Sequence, residues 1–263
     1  MTTLFALLSI VLYLISMIVL MGRLFHKEGP NKTLALSLAA VGSIAHILYL
    51  ADAIMGVPGQ NMSMTNVLSL ISWLITVSML ISITVLPNVM LLPGVLGFAA
   101  LSVLAALVIP AAHIMHIELR PGLLIHITLS LFAYGTLVIA FLYALQMSYI
   151  THRLKQKEAA LIHSSMPPLM LVEGILFKLL LVGTGLLVVA QLSGFIFLED
   201  MFSKGYAHKT VLSLAATAIY IFLLVGQRVW GWRGKQVIGL TILGLVLLSL
   251  AYFGSRFVRE ILL

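Results

Sequence analysis

The sequence predicts an all-α polytopic membrane protein with about eight transmembrane helices and both termini on the outer, periplasmic side. Hydrophobic residues make up 62% of the 263 residues and charged residues only 9%, and the mean hydropathy is +1.16. Soluble proteins, by contrast, carry about 25% charged residues. The apolar runs are long and do not alternate as the strands of a β-barrel do, so the spans must be helices that satisfy their own backbone hydrogen bonds.

Composition also limits the domain organisation and the chemistry of any site. Eight spans of about 20 residues with short loops account for nearly all positions, which predicts a single integral membrane domain over residues 1–263. The chain has no cysteine, so a haem or metal would be bound by His, Met, Asp, Glu or Tyr. The net charge of +7 follows from basic membrane loops. The expected partner is therefore the lipid bilayer and not a nucleic acid.

The first four spans are predicted over residues 2–21, about 33–53, 67–86 and 90–110. No Lys or Arg precedes the first span, which distinguishes it from a secretory signal and predicts a retained helix with its N-terminus outside. Arg23, Lys27 and Lys32 then mark an inside loop, because Lys and Arg concentrate on the cytoplasmic side. The loop MGVPGQNMSMTN after the second span has neither residue and is placed outside.

The last four spans are predicted over residues 121–155, about 171–197, a seventh ending at Gln227 and Arg228, and about 237–252. The fifth is a long apolar helix whose last turn carries His152, Arg153 and Lys155. Lys and Arg are more frequent in the loops that this layout places inside, which supports both termini being outside.

A polar seam runs along the first half of the fifth helix. His126, Ser130 and Tyr134 follow at i, i+4 and i+8 and so share one helical face. One hypothesis makes this seam a wall of a buried site in which His126 is the most reactive group, because hydrocarbon cannot solvate an imidazole. The other makes it a helix-packing surface, since Ser, Tyr and His often form hydrogen bonds between membrane helices.

Three histidines fall on the outer half of the predicted membrane or at its outer surface. Two imidazoles at matched depth can supply both axial ligands of a haem iron. By depth alone, His46, His126 and His208 are the candidates for such a pair. His46 can instead be an interhelical hydrogen-bond donor, and His208 an ordinary interfacial residue. The haem propionates would point outward, toward Arg120, Lys204 or Lys209.

The sequence also resembles a known family. The stretch HITLSLFAYGTLVIAFLYALQMSYITHRLK resembles the histidine-bearing helix of the CcsA/ResC/CcmC-type cytochrome c assembly family. The segments MPPLMLVEG, LSGFIF, HKTVLS and GWRGKQVIGLTILGL follow the order of that family. The similarity covers about Asn66 to Gly254 and is closest to the short, eight-span bacterial inner-membrane branch of YpjD type. It implies a multispan haem-handling protein in which His126 is a haem ligand. The second iron ligand would then be His46 or His208, with His46 ahead because of its burial.

The outer segment before the seventh span departs from that family. FLEDMFSKGYAHKTV contains no tryptophan, whereas the haem-transferring members carry a tryptophan-rich loop there, and Gly226 stands where the family has a histidine. Our first hypothesis is a non-enzymatic inner-membrane protein of cytochrome complex assembly that holds b-type haem near the periplasmic face. The alternative is a membrane subunit of a transport or ion-handling complex that kept the fold without haem transfer and binds a membrane partner protein.

Overall fold

Long apolar helices make up most of the described chain. The computed structural model describes residues 1–24, 26, 29–56, 58–85, 88–109, 113–116, 120–156, 167–198 and 207–254. The helices within these ranges are α1 (Thr2–Met21), α2 (Lys32–Met55), α3 (Met64–Val85), α4 (Leu92–Val108), α5 (Pro121–Lys155), α6 (Leu169–Phe197), α7 (Ala207–Trp230) and α8 (Lys235–Ser249). A π-helical segment, Leu250–Gly254, continues α8, and two short strands are β1 (Gln60–Asn61) and β2 (Ile114–Met115).

Seven of these helices are long and apolar enough to cross a membrane, counting α8 together with its π-helical continuation. The remaining helix, α4, is apolar but has only 17 residues. At about 1.5 Å per residue it is about 26 Å long, slightly less than the roughly 30 Å of a hydrocarbon core. The all-α polytopic class is therefore confirmed, while eight spans and the position of the termini stay predictions.

The first of two compact units is built from α1 to α4. Helix α1 packs against α2 and α4, and α3 packs against α2 and α4. Small side chains allow this close approach: Ala6, Ala35 and Ala39 are fully buried. A Cβ at Gly42 would lie 3.0 Å from the Tyr13 ring. The pairing of α1 with α2 is fixed at one end by the hydrogen bond from the Thr2 hydroxyl to the Asp52 carboxylate.

A two-residue antiparallel ladder joins the connections that follow α2 and α4. Gln60 pairs with Met115, and Asn61 pairs with Ile114. The sequence did not predict this ladder. It agrees with the topology prediction, which places both connections on the same side of the membrane.

The second unit is built from α5 to α8. Helix α5 packs against α6 and α8, and α7 packs against α6 and α8. Pro121 occupies the first turn of α5 and basic residues its last turn, both favourable positions for those residue types. A Cβ added at Gly183 would lie 2.8 Å from Leu137, so the small residue permits close contact between α5 and α6.

Candidate functional site around His126

His126 lies near the start of α5 and is held by α6. Its Nδ1 atom lies 2.8 Å from the backbone carbonyl oxygen of Ala190 and 3.3 Å from Oγ of Ser193. The Ser193 hydroxyl in turn donates to the same Ala190 carbonyl at 2.7 Å. One carbonyl therefore organises two polar side chains, and the imidazole orientation is set by a neighbouring helix.

This contact determines which ring nitrogen of His126 carries the hydrogen. A carbonyl oxygen only accepts, so Nδ1 must be the donor. In the neutral ring the lone pair is then on Nε2, and no residue that the structure describes forms a hydrogen bond with Nε2. Metal-ligating histidines have this arrangement, in which one ring N–H donates to a carbonyl and the other nitrogen binds the metal. The ring is half-buried, so its donor set fits an axial haem ligand.

The two ends of the α5 seam contact different helices. The hydroxyl of Tyr134 lies 2.8 Å from Oγ of Ser249 on α8, whereas His126 contacts α6. The Tyr134 ring also lies 5.3 Å from the Tyr252 ring, centroid to centroid. The polar groups at the two ends of the seam thus each form a hydrogen bond with a neighbouring helix, as the packing hypothesis expects. Nε2 of His126 nevertheless has no hydrogen-bond partner among the described residues.

His46 lies fully buried in the first unit and uses both of its ring nitrogens. Nδ1 lies 3.3 Å from the Tyr13 hydroxyl, and Nε2 lies 2.8 Å from Oγ of Ser69. The Tyr13 ring meets the imidazole edge-on, with the centroids 5.8 Å apart. His46 therefore connects α1, α2 and α3, and iron coordination through Nε2 would require the bond to Ser69 to be exchanged.

A buried serine network extends from the same region to α4. The Ser72 hydroxyl contacts the Ser102 hydroxyl at 2.6 Å and the Ser69 carbonyl at 2.8 Å. The indole N–H of Trp73 donates to the Ser43 carbonyl at 2.9 Å. Sequence analysis did not single out Tyr13 or Ser102. Ser102 is a lone polar side chain in an apolar run, whereas Tyr13 shares a helical face with Ser9 and Ser16, at i−4 and i+3. Only the helix arrangement shows their partners.

His208 and Arg120 lie at the surface of the described chain. His208 is the second residue of α7, is exposed, and forms no hydrogen bond or ion pair with any described residue. Arg120 precedes the first turn of α5 and is exposed, and Lys204 lies outside the described residues. Within the part of the chain that the structure describes, no cluster of three or more His, Asp or Glu side chains could hold a metal ion. Haem ligation by His126, His46 and His208 stays a prediction.

Comparison with known proteins identifies the family. The model of the family described as "Cytochrome C assembly protein" matches residues 37–263, which include all three candidate histidines. The chain belongs to the cytochrome c assembly family. It is 39% identical over 260 residues to inner membrane protein YpjD of Escherichia coli strain K12, covering 98% of each chain. The identity to YpjD of E. coli O157:H7 is the same over the same length.

A more distant relative and the membrane location complete the comparison. An Azospirillum brasilense protein named "Uncharacterized 28.8 kDa protein in nifR3-like 5'region" is 29% identical over 147 residues, or 54% of each chain. No solved structure matches the chain. With its apolar helices and its likeness to inner membrane protein YpjD, this family member is a multi-pass protein of the bacterial inner membrane.

Proposed function

We propose that this family member binds b-type haem within the membrane, with Nε2 of His126 as one axial ligand, and that it acts in cytochrome complex assembly without catalysing a reaction itself. The observation that carries the proposal is the 2.8 Å hydrogen bond from Nδ1 of His126 to the Ala190 carbonyl. This bond leaves the Nε2 lone pair available for iron. Bound haem would supply an iron centre, and the protein would determine its position and its exposure to water.

The second ligand is proposed to be His46 or His208. The two histidines differ in their burial and in the hydrogen bonds that iron binding would replace. His46 has the burial suited to an apolar haem pocket, but it would have to exchange its 2.8 Å bond to Ser69. His208 has no such bond to break among the described residues, but it is exposed at the start of α7. Absorption spectra of the His46→Ala and His208→Ala variants distinguish these two candidates.

The orientation of the site is part of the proposal. Basic residues mark the opposite end of α5, where its last turn carries His152, Arg153 and Lys155. The positive-inside rule makes that end cytoplasmic, so His126 would lie toward the periplasmic face. Arg120, next to the first turn of α5, is then available to a haem propionate at that face.

The test is absorption spectroscopy of the full chain purified from haem-replete cells. We expect a Soret band that is lost or shifted in His126→Ala and restored in His126→Gly by added imidazole. His152→Ala is the matched control, because His152 lies on the same helix at its other end, where it contacts only Gln156 among the described residues. An unchanged spectrum in His126→Ala would reject this ligand.

Two further variants identify the second ligand. Replacement of the true ligand, in either His46→Ala or His208→Ala, should convert a six-coordinate spectrum to a five-coordinate one. Purified protein that contains no haem and retains a bound membrane protein would instead support the alternative function, a subunit of a transport or ion-handling complex.

A further inference from the structure

The second unit carries an open groove where α7 ends and α8 begins. The groove has a volume of about 380 Å³, and its apolar wall includes Phe222, Gly239 and Leu243. Phe222 is 50% exposed and Leu243 is 47% exposed. Since both helices are apolar enough to cross the bilayer, these side chains lie on a surface that lipid can reach.

Glycines at particular positions create this groove. A Cβ at Gly226 would collide with the ring of Trp232, so the absence of a side chain there lets Trp232 pack directly on α7. Trp232 stacks on Trp230 with a centroid separation of 5.4 Å and meets the edge of Phe222 at 4.9 Å. The floor remains open at Gly239, where an added Cβ would meet no atom within 4 Å.

The polar groups that line the groove include no carboxylate. They are Lys235 and Gln236, beside the indole of Trp232. Lys235 forms no ion pair, and the Trp232 indole no hydrogen bond, with any residue that the structure describes. The nearby Arg233 is paired with Glu173 at 3.5 Å, so that carboxylate is engaged elsewhere. A lysine and an indole at a membrane interface are typical of contact with lipid headgroups.

We propose that this groove binds one anionic phospholipid of the surrounding bilayer. An acyl chain would lie along Phe222, Gly239 and Leu243, and the phosphate would contact the Lys235 ammonium and the Trp232 N–H. A zwitterionic lipid fills the apolar part equally well, but its amine finds no carboxylate in the groove lining. The charge at the mouth therefore selects the anionic headgroup, independently of any haem.

Tryptophan fluorescence provides a direct test, because the chain has three tryptophans and two of them form the aromatic cluster at the groove. In a Trp73→Phe background only Trp230 and Trp232 report. The protein is reconstituted in phosphatidylcholine bilayers containing an equal fraction of brominated phosphatidylglycerol or brominated phosphatidylcholine. We expect the anionic quencher to associate about fivefold more strongly, the factor for one lysine near an anionic lipid. The ratio cancels any constant quenching by bound haem.

Two variants separate the charge from the groove. Lys235→Gln should reduce the association ratio to near one, and Gly239→Leu, which fills the floor, should weaken quenching by both lipids. Gly174→Leu on α6 is the matched control, since a Cβ there also meets no atom within 4 Å and Gly174 does not line the groove. Equal quenching by the two lipids in the parent protein would overturn the proposal. So would a fivefold ratio that persists in Lys235→Gln, or quenching by both lipids that is undiminished in Gly239→Leu.

Discussion

Replacement of His46 tests what holds the first unit together. His46→Ala removes a ring that is fully buried and that bonds both the Tyr13 hydroxyl and the Ser69 hydroxyl. Neither hydroxyl has another hydrogen-bond partner among the described residues. The variant therefore leaves two buried polar groups unsatisfied and a cavity where the imidazole was.

The expected cost follows from these losses. An unsatisfied buried hydroxyl costs about 1–3 kcal/mol in soluble proteins, while interhelical hydrogen bonds in a membrane protein average about 0.6 kcal/mol. With the cavity added, we expect His46→Ala to lower the free energy of unfolding by about 2–4 kcal/mol. At about 2–4 °C per kcal/mol for a chain of this size, the melting temperature should fall by about 5–15 °C.

The assay is thermal unfolding of the detergent-solubilised protein, followed by tryptophan fluorescence. Tyr13→Phe and Ser69→Ala each remove one of the two bonds and should each cost about 1 kcal/mol. In the His46→Ala background both should cost close to nothing, because the bond is already absent, and a double-mutant cycle measures this coupling. If the losses of stability of the single substitutions simply add in the double variants, His46 does not have this structural role. An unchanged melting temperature together with a change from a six-coordinate to a five-coordinate haem spectrum would instead show that His46 binds iron and does not stabilise the packing.

Two further predictions concern the second unit. Gly226→Ala should destabilise the protein by more than about 1 kcal/mol, because the added Cβ collides with Trp232. Gly174→Ala should stabilise α6 by up to about 1 kcal/mol, because a Cβ there meets no atom within 4 Å. The melting temperatures of the two variants should therefore shift in opposite directions. Gln191→Leu removes the 2.7 Å bond from its amide to the Thr217 hydroxyl and should cost about 0.6 kcal/mol. A melting temperature within error of the parent would show that this bond between α6 and α7 contributes nothing.

The sequence predicts most helix ends well where chemistry marks them. Helices α1 and α5 begin and end at the predicted residues, because Pro121 and the basic last turn bound α5 and because polar residues bound the apolar run of α1. The fourth span is predicted over residues 90–110, whereas α4 runs only from Leu92 to Val108; it ends before Pro110 because the residue preceding a proline disfavours helical geometry. The β1–β2 ladder could not be predicted, because each strand has two residues and its partner is about fifty positions away.

Only part of the candidate site could be predicted from the sequence, because the partners of its residues also lie far away along the chain. Periodicity placed His126 on a polar face of α5, but it could not show that Ala190, 64 residues later, supplies the carbonyl that fixes the tautomer. The sequence likewise predicted that His46 is buried. It could not predict the two hydroxyl groups that bond to its ring nitrogens. Local spacing defines which side chains share a face, whereas their partners depend on how separate helices pack.

The ladder between β1 and β2 has a consequence for how the two connections that it joins can evolve. Its pairing of Gln60 with Met115 and of Asn61 with Ile114 is made by main-chain groups, which every residue type except proline supplies. Two positions contribute more than their main chain: Oδ1 of Asn61 accepts the His113 N–H at 3.0 Å, and a Cβ at Gly59 would lie 2.8 Å from Ile114. The other ladder positions can change with less loss of the link. The link between the two connections therefore constrains Gly59 and Asn61, while the remaining ladder positions are free to vary.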